Sequence, residues 1–410
     1  MSDEVNKLNR RDFLKTSGGA GLISLLGSAA TFADPNTPKP KEPNVPTAKF
    51  EQVPRRKLGK TGVIVPILEL GNADFMEKQI LLYKSLDWGV NCWDTADCYN
   101  NGNSELGIGK FLGAHLAVRK DIFIVTKSCK KDSAGLQEML ERSLSRMKTD
   151  YIDLYFLHGV VDGAQLTDDV KNWAEKAKRE KKIKFFGFST HSNMAKCLDA
   201  AAKLDWIDAI MTMYNFREMQ NPEMQAAVDA CHKANIGLVA MKTQGKSVKV
   251  PETEKDKEMY VHFLQKNFTP EQAKLKAVWQ DERIASICSA MPSIATLVSN
   301  VAAALDKTKL TQADIDMLKE YAAATCSGYC AGCEDICATA MPEVPVRDMM
   351  RFAMYHDSYG SRQLARENFA VIDAATRNKM AAIDYSHVEQ MCPNRLPIGR
   401  IVKDTVIKLA

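Results

Sequence analysis

The sequence lacks several features that would assign it to a simple functional class. Its 410 residues carry a net charge of only +4, and no basic face marks it as a nucleic-acid-binding protein. The lysine-rich stretch at 179–184 is typical of a helix end followed by a strand. Beyond the N-terminal segment, no apolar run is long enough to span a bilayer. The 45% hydrophobic and 26% charged content is that of a globular protein large enough for one domain and an appendage.

The first 33 residues have the layout of a secretory signal. Arg10 and Arg11 precede a Gly/Ala-rich apolar stretch, and the paired arginines followed by Phe-Leu-Lys resemble a twin-arginine signal. The resemblance implies export of a folded protein by the twin-arginine machinery, to the periplasm. The alternative is a chance Arg–Arg pair before an amphipathic helix. Residues 34–55 hold six prolines and are predicted to form an extended linker.

Between residues 56 and 305, short β-branched or aromatic runs alternate with amphipathic stretches. Eight such βα units predict an α/β fold, a (β/α)8 TIM barrel, and an absent glycine-rich phosphate fingerprint argues against a doubly wound sheet. The predicted strands are VIVPILELG, VNCWD, DIFIVTK, YIDLYFLH, KFFGFS, IDAIMTMYN, IGLVAM and IASICSAM. Helix starts are predicted at Ser192 or Asn193 and at Asn221.

Four chemically active residues stand where predicted strands end. Asp94, Lys127 and His158 close strands two, three and four, and Tyr99 lies in the loop after strand two. Active residues of a TIM barrel gather at the C-terminal ends of neighbouring strands. A carboxylate, a phenol, an ammonium and an imidazole at one face therefore predict a proton-transfer site, although each alone is often structural.

The connection after strand seven is long and polar. It runs from Lys242 to about Phe268. Loops of this length in a compact domain are usually lids or binding loops. We predict either a lid over a cofactor or a short extra helix without a function.

The tetrad and its surroundings resemble the aldo/keto reductase family. The resemblance covers about residues 55–305 and includes RKLGKTGVIVPILELG, GVNCWDTADCYNNGNSELGIGKFL, DIFIVTKS, SLSRMKTDYIDLYFLHG, KFFGFSTHSN, MYNF and DERIASICSAMPSIATLVSN. It implies that Tyr99 is the general acid in carbonyl reduction by hydride, with a pKa that Lys127 lowers. It also implies that Asp94 orients Lys127 and that His158 hydrogen-bonds the substrate carbonyl.

The same resemblance implies a nicotinamide cofactor, NADP(H) or NAD(H). Tyr214 would stack on the nicotinamide, and Ser189 would contact its carboxamide. Asn300 matches the asparagine that the family has near the last helix. Several family contacts are replaced, because Thr190 stands for an asparagine, Met211 for a glutamine, and Val298 with Ser299 for the usual arginine. A thioether cannot replace a hydrogen-bonding amide, so the cofactor side departs from the family pattern while the acid–base side matches it.

The eleven cysteines fall into two groups. Six lie in the barrel region, mostly in apolar runs where a free cysteine behaves as a small buried hydrophobe, and Cys98 is set apart because it precedes Tyr99. The other five, in the predicted helical, ferredoxin-like region 306–410, are Cys326, Cys330, Cys333, Cys337 and Cys392. They follow the bacterial ferredoxin spacing imperfectly, because Cys326 comes one residue early, whereas Cys392 followed by a proline matches the end of a second such run.

This spacing predicts one [4Fe–4S] cluster, for which two ligand sets are open. The crossed ferredoxin pattern gives Cys326, Cys330, Cys333 and Cys392, whereas a purely local site would use Cys337 in place of Cys392. Zinc bound by four thiolates and disulfides are further alternatives. A subgroup of aldo/keto reductases with a ferredoxin-like tail is similar to this chain over most of its mature length.

The sequence thus predicts an exported oxidoreductase that acts on a small carbonyl or alcohol substrate, uses a nicotinamide and carries one cluster. One rival is an enzyme whose cluster exchanges electrons with a redox partner protein and which uses little nicotinamide. The other is a non-catalytic barrel with a structural metal site. A scaffold has no need of Tyr99 and Lys127 together, which argues against the last.

Overall fold

A closed barrel of eight parallel strands forms the centre of the computed structural model, which describes residues 50–71, 76–246 and 254–410. The predicted signal segment and most of the predicted linker lie outside these residues. The barrel strands are β3 (Leu68–Gly71), β4 (Cys92–Asp94), β5 (Phe123–Ser128), β6 (Ile152–Leu157), β7 (Ile183–Thr190), β8 (Ala209–Met213), β9 (Gly237–Met241) and β10 (Ser286–Ala290). β10 pairs with both β9 and β3, which closes the ring and confirms the predicted barrel.

A two-stranded hairpin covers the N-terminal end of the barrel. Its strands are β1 (Arg55–Lys57) and β2 (Ile64–Pro66), paired antiparallel. The Arg56 guanidinium donates to the carbonyls of Trp279 and Ile284, which ties the hairpin to the barrel. The sequence predicted one strand over 63–71, but the chain leaves the hairpin at Pro66 and begins β3 two residues later. The alternating apolar pattern continues through this break, so the pattern alone could not reveal it.

Helices alternate with the strands and pack around the barrel. They are α1 (Gln79–Asp87), α2 (Asn103–Ala114), α3 (Ser133–Met147), α4 (Asp168–Arg179), α5 (Met194–Ala201), α6 (Pro222–Lys233), α7 (Glu254–Leu264), α8 (Pro270–Trp279) and α9 (Ile294–Leu305). α6 begins as predicted, because the Asn221 side chain accepts from the amides of Glu223 and Met224 and Pro222 follows it. α5 likewise follows Asn193.

The long connection after β9 contains helix α7. Met259 and Phe263 are buried and pack with Leu310 and Leu318 from the segment after the barrel. This corresponds to the short extra helix of the second prediction. Residues 247–253 of the connection lie outside the described part of the chain.

All the regular secondary structure of the C-terminal region 306–410 is helical, as predicted. Its helices are α10 (Gln312–Ala324), α11 (Glu334–Ala340), α12 (Val346–Met354), α13 (Arg362–Ala370), α14 (Ala374–Met380), α15 (Ser386–Met391) and α16 (Ile398–Leu409). A separate apolar core forms where Met349 and Phe352 of α12 cluster with Phe369, Ile401 and Val402. We call residues 326–410, which include the helices from α11 onward, the tail. Among the described helices, none has the length and hydropathy needed to cross a membrane.

The tail docks on the loops that follow β7 and β8, and the Asn215 amide after β8 donates to the Tyr329 hydroxyl at 3.0 Å. Asn193 donates its backbone amide to the Gly332 carbonyl at 2.8 Å, and Arg351 donates to the His191 carbonyl at 3.2 Å. A Cβ at Gly332 would lie 2.4 Å from the His191 carbonyl oxygen. Backbone therefore rests on backbone at this contact, and the barrel and tail belong to one compact unit.

Two glycines in α2 provide a matched test of how the helix that follows the Tyr99 loop is packed. A Cβ at Gly109 would lie 1.9 Å from the Arg146 backbone oxygen of α3, whereas a Cβ at Gly113 would meet only the flexible Lys148 side chain, at 3.2 Å. We expect Gly109→Ala to lower the free energy of unfolding by about 1–3 kcal/mol through overpacking. Gly113→Ala should raise it by up to about 1 kcal/mol, because alanine favours the helix. Urea denaturation of both variants checks this, and equal effects would contradict the packing argument.

Candidate active site

The four predicted residues meet at the C-terminal end of the barrel. Asp94 is the last residue of β4, Lys127 is next to last in β5, and His158 directly follows β6. The three strands are neighbours in the ring, so their ends bring these side chains together. Tyr99 follows β4 in a tight loop, and its ring lies edge-on to the His158 ring at 5.6 Å between centroids.

Lys127 and Asp94 form a buried ion pair. The Lys127 ammonium donates to Asp94 Oδ1 and to the Thr95 carbonyl, both at 2.7 Å. Only 1% of the Lys127 side chain and 3% of the Asp94 side chain is exposed. At this depth each charge is stable only while the other is present, because an unpaired buried charge is strongly unfavourable. The ammonium also lies 4.8 Å from the centroid of the Tyr99 ring, within cation–π range.

The loop that carries Tyr99 turns through three successive left-handed residues. Asn100, Asn101 and Gly102 have φ values of 48°, 51° and 89°, and asparagine and glycine adopt this region most readily. Asn101 donates to Glu367 of the tail at 3.2 Å. The loop therefore fixes Tyr99 between the barrel and the tail.

The pKa of Tyr99 is raised well above its usual value of 10, chiefly because of burial and next because of the Asp94 carboxylate. The net shift is therefore opposite to the predicted one, because burial and the Asp94 charge outweigh the lowering expected from Lys127. Lys127 is already paired with Asp94, whose charge opposes formation of a phenolate. The phenol keeps its proton throughout the neutral range, which suits a proton donor.

A second carboxyl group lies in the barrel beneath the ion pair. Glu69 of β3 is 1% exposed, and burial, followed by the nearby Asp94 charge, raises its pKa to about 8. One buried oxygen of Glu69 and one of Asp94 have no hydrogen-bond partner among the described residues. Glu69 is thus a neutral acid below Asp94 at physiological pH. Sequence reasoning missed it because it lies inside an apolar strand, two residues before the strand ends.

The residues predicted to bind a nicotinamide are buried and hydrogen-bonded. Ser189 Oγ accepts from the Gly159 amide at 3.1 Å, and the Asn300 amide donates to Ser289 Oγ at 3.0 Å. The Tyr214 hydroxyl donates to Asp281 at 2.6 Å, and its ring has no exposed surface. A stacking residue needs an open ring face, so this geometry does not favour the predicted role of Tyr214. The roles of Ser189 and Asn300 remain predictions.

The residues that replace family contacts are also buried. Met211 lies in the apolar core inside the barrel, and the Thr190 hydroxyl donates to the Ser192 carbonyl at 2.9 Å. Neither side chain offers an open hydrogen-bonding group. The two residues that depart from the family pattern in the sequence therefore have side chains that point into the protein interior.

The tail contributes residues to the same end of the barrel. Tyr355 lies within electrostatic reach of Tyr99 and of Cys98. The ammonium of Lys242, just after β9, lies 5.3 Å from the Tyr355 ring centroid and 5.7 Å from that of Tyr359. Burial lowers the pKa of Lys242 well below its usual value, and the Arg351 charge adds to this. Tyrosine side chains from a segment remote in sequence therefore lie beside the predicted acid–base residues.

Four tail cysteines line one cavity. Cys330, Cys333, Cys337 and Cys392 surround it together with apolar residues, and Cys326 is not among the lining residues. Cys326 instead lies near the Arg217 guanidinium. Neither predicted ligand set matches this cavity, since both included Cys326 and each omitted Cys337 or Cys392. The spacing suggested Cys326 as a ligand, but the chain passes into a short helical turn there and carries that thiol away.

The barrel cysteines divide into buried and exposed thiols. Cys92, Cys197 and Cys231 are buried, as predicted, whereas Cys98 and Cys129 are exposed. The sequence set Cys98 apart but gave no reason to pair it with Cys129. A usable signal was present, because Cys129 follows Lys127 by two residues at the end of the neighbouring strand.

The neutral state of Glu69 predicts a specific pH dependence of stability. A carboxyl whose pKa is higher in the folded protein binds its proton preferentially there, so it stabilises the fold less as pH rises from about 4.5 towards 8. Wild type should lose up to about 1.4 kcal/mol per pH unit across this window relative to Glu69→Gln. Urea denaturation between pH 5 and 8 measures the difference. The exposed substitution Glu258→Gln is the control, and a parallel course of wild type and Glu69→Gln would contradict the assignment.

Comparisons with known proteins agree with this site. The model of the Aldo/keto reductase family matches residues 69–322. Aldo-keto reductase AFTS1 of Alternaria alternata is 25% identical over 243 residues, which are 48% of this chain and 66% of that protein. Methylglyoxal reductase DkgA of Yersinia pestis is 38% identical over 99 residues, which are 24% of this chain and 35% of that protein. The chain thus spans less than two thirds of the length of these relatives.

The fold comparison points the same way. The holo form of aldo-keto reductase AKR11C1 from Bacillus halodurans superposes with a TM-score of 0.53 at 23% identity, covering 66% of this chain and 96% of that one. This likeness supports the barrel fold. The family model covers well over half of the chain and includes the strands that position Asp94, Lys127 and His158. The protein therefore belongs to the aldo/keto reductase family.

Proposed function

We propose that this protein is an exported oxidoreductase that reduces a small carbonyl compound, or oxidises the corresponding alcohol, with NADP(H) or NAD(H). The observation that carries the proposal is the meeting of Tyr99, Lys127, Asp94 and His158 at one end of the barrel. A methylglyoxal reductase by name is among the relatives, which favours small carbonyl compounds as substrates. Export is proposed from the Arg10–Arg11 segment alone.

The described residues fit a nicotinamide in part. Ser189 Oγ accepts a hydrogen bond from Gly159, so its hydroxyl proton is available to a carboxamide oxygen. Asn300 is held by Ser289 next to this end of the barrel. A bound reduced nicotinamide would supply hydride to the carbonyl carbon. Ser189 and Asn300 are the side chains proposed to hold it.

Proton transfer is assigned to Tyr99. Its phenol O–H bond breaks as the carbonyl oxygen gains the proton, and burial keeps the phenol protonated until that moment. Lys127, 4.8 Å from the ring, stabilises the phenolate that remains. His158 donates a hydrogen bond that positions the carbonyl. Asp94 holds Lys127 in place through the 2.7 Å ion pair.

Substitution of Tyr99 tests the assigned acid. We expect Tyr99→Phe to lower the rate of carbonyl reduction by about 10²–10⁴-fold, because no phenol proton is available. Binding of NADPH, followed by quenching of tryptophan fluorescence, should change less than threefold. Tyr260→Phe, on the exposed surface of α7, is the matched control and should behave as wild type. If neither NADPH nor NADH binds the wild-type protein, the barrel is a scaffold and the proposal fails.

We further propose that the tail holds one [4Fe–4S] cluster through Cys330, Cys333, Cys337 and Cys392. These four thiols line one cavity whose other walls include Val346, Met350 and Leu396. Thiolates are the ligands of such clusters, and an apolar wall shields them from water. Burial raises the pKa of Cys333 to about 11 and that of Cys337 to about 12, so these thiols stay protonated until a metal compensates for their charge.

Iron content distinguishes this ligand set from those predicted by spacing. After anaerobic purification, Cys337→Ser and Cys392→Ser should each lose most of the iron and the associated visible absorbance. Cys326→Ser should keep both, because its thiol lies outside the cavity. Loss of iron from Cys326→Ser with full iron in Cys337→Ser or Cys392→Ser would contradict the set. Zinc in place of iron in the wild-type protein would favour a structural site instead.

A second function is favoured by the position of the tail cavity. Gly332, which lines the cavity, touches the His191 backbone just after Ser189 and Thr190. A cluster there would lie beside the residues proposed to hold the nicotinamide. Electron exchange between the cluster and a redox partner protein is therefore the alternative to a purely structural cluster. Bleaching of the cluster absorbance by a reduced one-electron donor protein such as a ferredoxin, under anaerobic conditions, would support it, and an unchanged spectrum would argue against it.

A further inference from the structure

A cluster of metal-binding side chains adjoins the acid–base residues. Asp97 and Cys98 lie in the loop after β4, Cys129 directly follows β5, and His158 directly follows β6. Because these strands are adjacent and parallel, the three positions meet at one edge of the barrel mouth. One donor atom from each of the four side chains lies within 4.8 Å of the other three.

The distances show how closely the sulfur and nitrogen atoms approach. The Cys98 and Cys129 sulfurs are 2.7 Å apart. His158 Nδ1 lies 3.3 Å from the Cys129 sulfur and 3.6 Å from that of Cys98. Both cysteines are exposed residues. Nδ1 therefore faces the thiol pair rather than a backbone carbonyl.

Asp97 supplies an independent observation that favours a ligand at this cluster. It is 3% exposed, and Oδ2 accepts from Arg142 at 3.3 Å. Oδ1 is buried and has no hydrogen-bond partner among the described residues. An unpartnered carboxylate oxygen in the interior is costly. A cation between Asp97 and the neighbouring thiols would satisfy it.

We propose that Asp97, Cys98, Cys129 and His158 bind one thiophilic divalent cation of the zinc class. Two thiolates, one imidazole nitrogen and one carboxylate oxygen form a four-ligand tetrahedral set. Hard cations such as calcium and magnesium prefer oxygen ligands, which the two sulfurs exclude. Tetrahedral zinc with Zn–S bonds of about 2.3 Å separates two sulfurs by about 3.7 Å. The exposed thiols therefore move apart by about 1 Å when the metal binds.

The proposed cation has a consequence for His158. A metal on Nδ1 leaves the ring proton on Nε2, which fixes the imidazole as a hydrogen-bond donor on the opposite side. That is the form in which His158 could position a carbonyl. This consequence rests on the proposed function, whereas the metal site itself does not. In this role Cys98, Cys129 and Asp97 are positioning residues.

Metal binding by the full-length protein tests the site separately from the tail. The protein is purified anaerobically with its tail metal in place, reduced, and titrated with zinc before desalting and metal analysis. Wild type should bind one zinc per chain in addition to the tail metal. Cys98→Ser and Cys129→Ser should each weaken zinc binding by about 100-fold or more, because a serine hydroxyl is a poor zinc ligand. Asp97→Asn should weaken it by about 10-fold.

Two controls make the result specific. Cys392→Ser should lose iron and keep the added zinc, whereas Cys98→Ser should lose the zinc and keep both iron and NADPH binding. Retained iron also shows that the variants fold. Cobalt substituted for zinc should give thiolate-to-cobalt charge-transfer absorbance, and this absorbance should disappear in Cys129→Ser. Wild type that takes up no zinc after reduction overturns the proposal. So does a Cys98–Cys129 disulfide, 2 Da lighter by mass spectrometry, whose reduced form still takes up no metal. Failure here leaves the effect of Tyr99→Phe untouched, so the two proposals fail separately.

Discussion

The buried ion pair between Lys127 and Asp94 is the constraint on which the open end of the barrel depends. Two charges have been removed from water at adjacent strand ends, and neither is stable there without the other. Two neighbouring groups stay protonated beside this pair. Burial is the main reason that the pKa values of Glu69 and Tyr99 are raised, and the Asp94 charge adds to the rise in both. The ion pair and its burial thus act together on the protonation of these neighbours.

The tail completes this end of the molecule from outside the barrel. It touches the loops after β7 and β8 and reaches the Tyr99 loop through Glu367. Tyr355 and Tyr359 add aromatic surface beside Lys242. The chemistry of the site therefore depends on two structural regions with separate cores, a barrel lined by apolar strand residues and a helical cluster built around α12.

The parts of the fold that follow from local pattern were predictable. Eight apolar runs gave the strands, and the position of Asp94, Lys127 and His158 at their ends gave the meeting point. The expectations that the structure does not match concern the burial of side chains and the direction in which the chain turns. The sequence places Lys127 near Tyr99 but does not show how deeply Tyr99 is buried beside Asp94, so it did not predict that the net shift raises the Tyr99 pKa. Cysteine spacing identified a metal-type motif, yet Cys326 is carried away from the cavity by a turn, which spacing cannot express. The approach of Cys98 to Cys129 joins two loops, and the only sign of it along the chain is that Cys129 follows Lys127 by two residues.

The backbone contact between Gly332 and His191 has a consequence for the order of events during synthesis. The core of the tail requires Ile401, Val402 and Leu409 of α16 to pack with α12, so the tail cannot form until these residues have left the ribosome. All eight barrel strands are complete by residue 290. Domains generally fold as they emerge, so the barrel has its mouth uncovered while more than a hundred residues are still being added. Any group enclosed between the barrel and the tail has this interval in which to enter.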